Sequence, residues 1–135
     1  MPILVDTGIL YALADRDDAW HRRADRFIGG AAEVLLVPTT VLPEVTYLLR
    51  KRLGVLAEQR FVESLAAGEL VVEDLTTADL HRCAALLVDY PAIGFVDSSL
   101  VAIAERLRIK TIATTDRRHF ATLRPKHTRA FALVP

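Results

Sequence analysis

One cysteine, Cys83, in 135 residues leaves no internal disulfide to form, and it points to a reducing cytoplasm as the compartment. Long uncharged runs are missing as well. The longest, Val34 to Pro43, has ten residues, about half of the ~20 that a bilayer-spanning helix requires. Asp6 interrupts the N-terminal apolar run before the core of a signal peptide could form, so no membrane association is expected. Net charge is absent too, with 17 Lys+Arg against 17 Asp+Glu, while 52% of the residues are apolar. That combination excludes a disordered chain. No repeat and no Pro/Gly/Ser-rich linker divides the sequence. The expectation is one domain over residues 1–135, large enough to bury roughly two-thirds of its unfolded surface.

Zero net charge conceals an asymmetry. Residues 1–105 carry 16 acidic and 9 basic side chains, whereas residues 106–135 carry 8 basic ones and only Asp116. A basic field of that kind steers polyanions even on a neutral molecule; a solvated, Arg-rich tail explains the charge equally well. Glu58 to Asp89, with seven acids and two basic residues, reads as a solvated face.

Short apolar runs alternate with helical patterns along the chain. Ile3-Leu4-Val5, Val34–Val37, Leu70–Val72, Thr111–Ala113 and Ala130–Val134 read as strands. Helices are expected over Thr7–Ala14, Asp18–Ile28, from a Thr39 or Thr40 cap to about Leu53, Leu56–Ala66, from a Thr76 or Thr77 cap to about Val88, and Phe95–Leu107. Val96, Leu100, Ile103 and Leu107 recur at helical spacing as a buried stripe. Apolar strands alternating with helices predict an α/β fold, a three-layer α/β/α sandwich on a mainly parallel central sheet. Ligands of such folds bind outside the carboxyl ends of the strands.

Four acids fall near that edge. Asp6 follows the first strand, Glu44 lies in the opening turns of the helix after the second, Asp97 starts the Phe95–Leu107 helix, and Asp116 follows the Thr111–Ala113 strand by two residues of loop. Any one of them is explained by a helix cap, and for Asp97 alone capping is the better reading. Gathered together they are harder to explain, because two carboxylates about 4 Å apart repel by ~4 kcal/mol at an effective dielectric of 20. Clustered carboxylates either take up protons or hold cations. Oxygen ligands select hard metals such as Mg²⁺ or Mn²⁺, which suit phosphodiester hydrolysis.

Val5-Asp6-Thr7, Pro43-Glu44-Val45, Gly94-Phe95-Val96-Asp97-Ser98 and Thr114-Thr115-Asp116 with Phe120 form an ordered set. It resembles the PIN-domain ribonucleases, most of all the VapC toxins of bacterial toxin–antitoxin pairs, from residue 3 to about residue 124. The resemblance implies a PIN-like domain with Mg²⁺-dependent endoribonuclease activity (Mn²⁺ as the alternative ion), hydrolysing RNA phosphodiester bonds through metal-activated water. It also implies homodimerisation and a cognate VapB-type antitoxin that blocks the acidic pocket in a toxin–antitoxin hetero-oligomer. Residue by residue, it makes Asp6, Asp97 and Asp116 direct metal ligands, and gives Glu44 a role through water or a second metal. Thr114 takes the hydroxyl position that bonds the attacking water or a carboxylate. Gly8 departs from the pattern, standing where relatives often carry Ser or Asn.

Arg22-Arg23 and Arg117-Arg118 are candidate contacts for RNA backbone phosphates around the pocket. His119, beside them, reads as a phosphate contact or simply as part of a solvated loop. Trp20, Tyr11 and Tyr47 suit an interface with a second copy or an antitoxin, or else the core, which is the reading preferred for Tyr47. Other chemistries find less support. Asp6-Thr7-Gly8 resembles the phosphoaspartate segment of haloacid dehalogenases but lacks the second acid. A receiver domain would want a paired acid and a lysine that are not in place. Ser98 and Ser99 lie in no Gly-x-Ser-x-Gly turn, the four histidines lack zinc spacing, and Gly29-Gly30 opens no phosphate loop. The rival from another class is a non-catalytic RNA- or protein-binding module whose acids serve as caps.

Overall fold

The computed structural model describes residues 1–135. Five strands, β1 (Ile3–Val5), β2 (Leu35–Pro38), β3 (Val71–Glu73), β4 (Thr111–Ala113) and β5 (Ala132–Val134), form one sheet in the order β3-β2-β1-β4-β5. Every neighbouring pair is parallel. The three inner strands are short apolar runs, and β1 and β2 are buried at every position. Helices cover such a sheet on both faces because both faces are apolar. Seven of them do so here: α1 (Thr7–Ala14), α2 (His21–Gly30), α3 (Leu42–Leu53), α4 (Val55–Ala66), α5 (Thr77–Asp89), α6 (Phe95–Leu107) and α7 (Arg117–Thr122). Helix α1 packs on α2 and α3, α3 on α4, and α5 on α6. The architecture is the three-layer α/β/α sandwich expected from the sequence. No helix is long and apolar enough to cross a membrane.

Strand order locates the functional edge. From β1 the chain runs outward to β2 and β3, then returns across the sheet to β4 and β5. The direction of winding therefore switches between β1 and β4, and the crevice at their carboxyl ends is where open α/β sheets bind ligands. The amide of Asp6 donates to Ala113 and that of Thr114 to Val134, each bond 2.9 Å, which extends the ladder to the residues that leave the sheet.

Several local expectations need correction. A 3-10 turn over Thr39–Val41 precedes α3, whose N-cap is Val41 without a side-chain bond. Thr40 is no cap, because its hydroxyl lies 2.6 Å from that of Ser99 on α6. The α6 stripe is too narrow a description: Ser98 to Ala104 are all buried, while Leu107 is 38% exposed. A helix buried all round needs no single apolar face. Tyr47 is 60% exposed and does not belong to the core. The acidic segment is not uniformly solvated either, since Asp79 is buried on α5. Arg117 to Thr122, expected as loop, is the short helix α7.

Candidate metal centre

Asp6 leaves the end of β1 and caps α1, accepting the Thr7 amide at 2.7 Å. Its other oxygen accepts the buried Thr114 hydroxyl at 2.9 Å. That hydroxyl in turn accepts the Asp116 amide at 2.9 Å, so one threonine ties together the two loops that leave β1 and β4. Thr7 does similar work on the other side: its hydroxyl donates to Glu44 on α3 at 2.7 Å. Asp116 caps α7, accepting the His119 amide at 3.2 Å. The switch point thus gathers acids from the starts of α1, α3, α6 and α7, with threonine hydroxyls bonding Asp6, Glu44 and the Asp116 amide.

Asp97 differs from the rest. It stands in the first turn of α6, but Gly94 is the N-cap and no side chain caps the helix. The capping role that suits an isolated Asp97 is therefore not the one it plays. Its nearest basic neighbour is His119, with Nδ1 at 3.6 Å, while the same nitrogen lies 2.7 Å from Asp116 Oδ2. One potential ligand atom from each of Asp97, Asp116 and His119 lies within 4.8 Å of the others. Burial, followed by the negative charges of Asp6 and Asp116, pushes the Asp97 carboxyl up to about 6, against the opposing influence of His119. Burial also raises Asp6, with Glu44 and Asp116 adding to it, although the bonds from Thr114 and Thr7 work the other way.

These are properties of a site that wants a cation. Carboxylates whose mutual repulsion raises their affinity for protons raise their affinity for metal for the same reason. The donors are hard oxygens with one imidazole, a set that fits Mg²⁺ or Mn²⁺. Asp97 accepts no protein hydrogen bond, which leaves its oxygens available as ligands. A cleft of about 410 Å³ lined by Thr7, Glu44, Tyr47 and Leu48 opens beside this frame. The second cleft, about 360 Å³, is lined by Asp79, Arg82, Glu105 and Arg106 among others, at the far end of α6.

All four acids singled out in the sequence, with Thr114, belong to this switch point. Two residues were missed in these roles, Thr7 and His119. His119 joins the tight cluster through Asp-x-x-His, the spacing of an N-cap and the third helical residue, which places its amide and ring on the capping carboxylate. Arg23 and Arg117 meet at Trp20, with guanidinium carbons 4.3 and 5.7 Å from a ring centroid of the indole. Arg22 and Arg118 are exposed and make no ion pair. Gly8 has a structural reason: a Cβ there would lie 2.2 Å from Thr115 Oγ1, so a larger residue would require Thr115 to move.

Comparison with known proteins agrees with this geometry. The PIN domain family model matches residues 3–124. The chain is 33% identical over 135 residues to ribonuclease VapC26 of Mycobacterium tuberculosis (strain ATCC 25618 / H37Rv), covering 98% of this chain and 100% of that one. The crystal structure of M. tuberculosis VapC20, described as a sarcin-ricin loop cleaving toxin, superposes with a TM-score of 0.75 at 26% identity, over 82% of this chain and 86% of that one. A toxin–antitoxin complex from Klebsiella pneumoniae shares the fold at a TM-score of 0.73 and 21% identity, over 98% of this chain and 96% of that one.

Proposed function

This chain belongs to the PIN-domain family, among its VapC-type members, and from that premise we propose that it is a divalent-metal-dependent endoribonuclease acting as the toxin of a toxin–antitoxin pair. The observation that carries the reading is Asp97: a partly buried carboxylate, crowded by Asp6 and Asp116, that neither caps its helix nor accepts a hydrogen bond. A merely structural acid would do one or the other. Asp6, Asp97 and Asp116 would hold the ion, and Glu44 would act through water or a second ion. When bound, Mg²⁺ or Mn²⁺ supplies Lewis-acid activation of water and neutralises charge developing on the phosphate.

The protein's own groups do the rest. Thr114 fixes the orientation of Asp6, and by accepting the Asp116 amide it sets the position of the loop after β4. Thr7 holds Glu44 toward the same frame. Each hydroxyl restrains a carboxylate that repulsion would otherwise push aside, which is the pre-organisation that catalysis requires. The arginines at Trp20 supply positive charge where four carboxylates would repel an RNA backbone.

Exposed apolar side chains on α3 and α4, including Tyr47 at 60% and Leu56 at 56%, provide the surface for a second copy and for the cognate antitoxin. Light scattering of the purified protein with Leu56→Ser as control tests the homodimer: the wild type runs as a dimer and the variant shifts toward monomer.

The nuclease reading is tested by incubating total bacterial RNA with antitoxin-free protein in Mg²⁺ or Mn²⁺. Discrete fragments that vanish in EDTA and with Asp97→Asn are the expected result. The ribosomal sarcin–ricin loop, the target named for VapC20, is the first substrate to map. Intact RNA together with no metal binding by titration would instead leave a non-catalytic binding module.

A further inference from the structure

Five arginines divide into two kinds of company. Arg50 pairs with Glu58, Arg82 with Glu105, and Arg106 with Glu73 and Asp79. Arg23 and Arg117 pair with no Asp or Glu side chain and instead share the indole of Trp20. No other ring in the molecule holds two cations: Tyr47 has only Lys51 and Tyr11 only Arg52. Bringing two like charges to one ring with no acidic side chain paired to either costs free energy. An anion that both guanidiniums reach offsets that cost.

The platform is fixed in place. Trp20 opens α2, its amide donates to Asp18 at 2.8 Å, and its ring packs partly against the core. The next residue, His21, contacts the Ala12 carbonyl with Nδ1 at 2.6 Å, which ties this end of α2 to the last turn of α1. Arg117 comes from a different element, the first residue of α7. It follows Asp116 directly in the chain, and its Nη2 donates to the Pro135 carbonyl past the end of β5. A guanidinium over a ring keeps its full charge and much of its donor fork, so the ring restricts the side chain without neutralising it.

We propose that Trp20 is a positioning residue: its indole holds Arg23 and Arg117 together as a clamp for RNA backbone phosphates beside the Asp116 loop. The inference rests on the ribonuclease reading and deepens it, because the four carboxylates repel the polyanion that the enzyme must bind. The clamp reads no base. Its effect is to fix the register of the strand over the pocket.

The test is fluorescence anisotropy with a short labelled single-stranded RNA of mixed sequence in Mg²⁺, on the Asp97→Asn background so that no cleavage interferes. Arg23→Gln and Arg117→Gln each weaken binding severalfold and flatten the log–log salt slope by about 0.7. Trp20→Leu removes no charge, yet it also weakens binding severalfold, and in its presence Arg23→Gln costs much less. Trp20→Phe, which keeps a ring face, restores most of the affinity. Wild-type affinity for Trp20→Leu, or an undiminished Arg23 effect in its presence, overturns the clamp. Should Trp20→Leu fail to fold, Arg23→Lys decides, because it keeps the charge and loses the planar stack. Weakened binding with an unchanged salt slope supports the clamp, and unchanged affinity overturns it. A wild-type protein that neither binds nor cleaves RNA overturns the ribonuclease reading along with it, whereas normal binding by the Asp97→Asn parent with indifferent variants overturns the clamp alone.

Discussion

At the C-terminal end of α6, Glu105 and Arg106 sit among opposite charges; at its N-terminal end, Asp97 sits among like ones. Arg106 bonds both oxygens of the buried Asp79, reaches Glu73, and donates to the Asp74 carbonyl. Arg82 and the Lys126 amide satisfy Glu105. Burial alone would raise the Asp79 carboxyl, but the bonds from Arg106 and Thr76 hold it below the usual range. Burial raises Asp97 as well, and its acidic neighbours add to that shift. The two ends of one helix thus meet a set of acids whose charge is already balanced and a set whose balance must come from outside. The first kind stabilises the fold, and the second is where the proposed cation and substrate would act.

The largest effect expected from this contrast is on activity. Asp97→Asn keeps the shape of the side chain and removes its charge, so cleavage of RNA in Mg²⁺ or Mn²⁺ should fall at least about 100-fold, equivalent to ~2.7 kcal/mol of barrier. Folding should be unimpaired, as a thermal melt in EDTA will show. A variant that cleaves normally would place Asp97 among the structural acids and erase the difference between the two ends.

Arg106→Leu comes next, and its effect is on stability. It strands the Asp79 carboxylate, 3% exposed, with only the capping box of α5 to satisfy it. Leaving one partner of such a pair costs about 2–3 kcal/mol, below the ~3–5 kcal/mol of fully buried pairs because Arg106 itself is partly exposed. Urea denaturation should show the midpoint falling with little change of slope. RNA cleavage per folded molecule should be unaffected.

The contrast also shows how far the sequence could be read. Apolar runs of three to five residues are sufficient to find the strands: β1 and β2 are buried at every position, and the more exposed edge strands β3 and β5 keep the same apolar character. The strand-end rule then finds Asp6, Glu44, Asp97 and Asp116 without any knowledge of side-chain geometry. His119 was not visible that way. Its role depends on the chain turning helical at Arg117, and six residues are too few for periodicity to reveal it. Asp79 and Arg106 were hidden for a different reason: both lie in charged stretches, and only the packing of α5 on α6 shows that they meet. Tyr47 misleads because its apolar neighbours suggest a core, whereas α3 turns it toward the cleft.

Acid should act in opposite directions on the two ends. Asp97 has a folded pKa of about 6, above its ordinary 3.8. The native state therefore binds the extra proton, and stability from this group is lost as pH rises from about 4 to about 6. Discounted for solvent screening, the cost at neutral pH is about 1 kcal/mol. In EDTA, Asp97→Asn should melt higher than wild type at pH 7, by an amount that shrinks toward pH 4. Adding Mn²⁺ should raise the wild-type melting temperature and leave the variant's nearly unchanged. Asp79 has a lowered folded pKa, so its contribution is present above its unfolded pKa and is lost as pH falls through the folded value. A difference between the two melting curves that does not vary with pH would mean that repulsion at Asp97 has been misread.

Arg82→Gln should have the smallest effect, and it tests why Arg106 matters. Arg82 lies 2.6 Å from Glu105, closer than Arg106 lies to Asp79, with both side chains mostly buried. Distance alone would rank it as the stronger pair. Glu105, however, also accepts the Lys126 amide at 2.8 Å, which survives the substitution, and glutamine can still donate one bond. The remaining carboxylate is not stranded, so the expected loss is about 0.5–1 kcal/mol by urea denaturation. A loss as large as that of Arg106→Leu would show that proximity, not the number of remaining partners, sets the strength of these pairs. The helix would then be held by two equal clasps at this end, and the partner-counting that distinguishes Asp79 and Glu105 from Asp97 would need another basis.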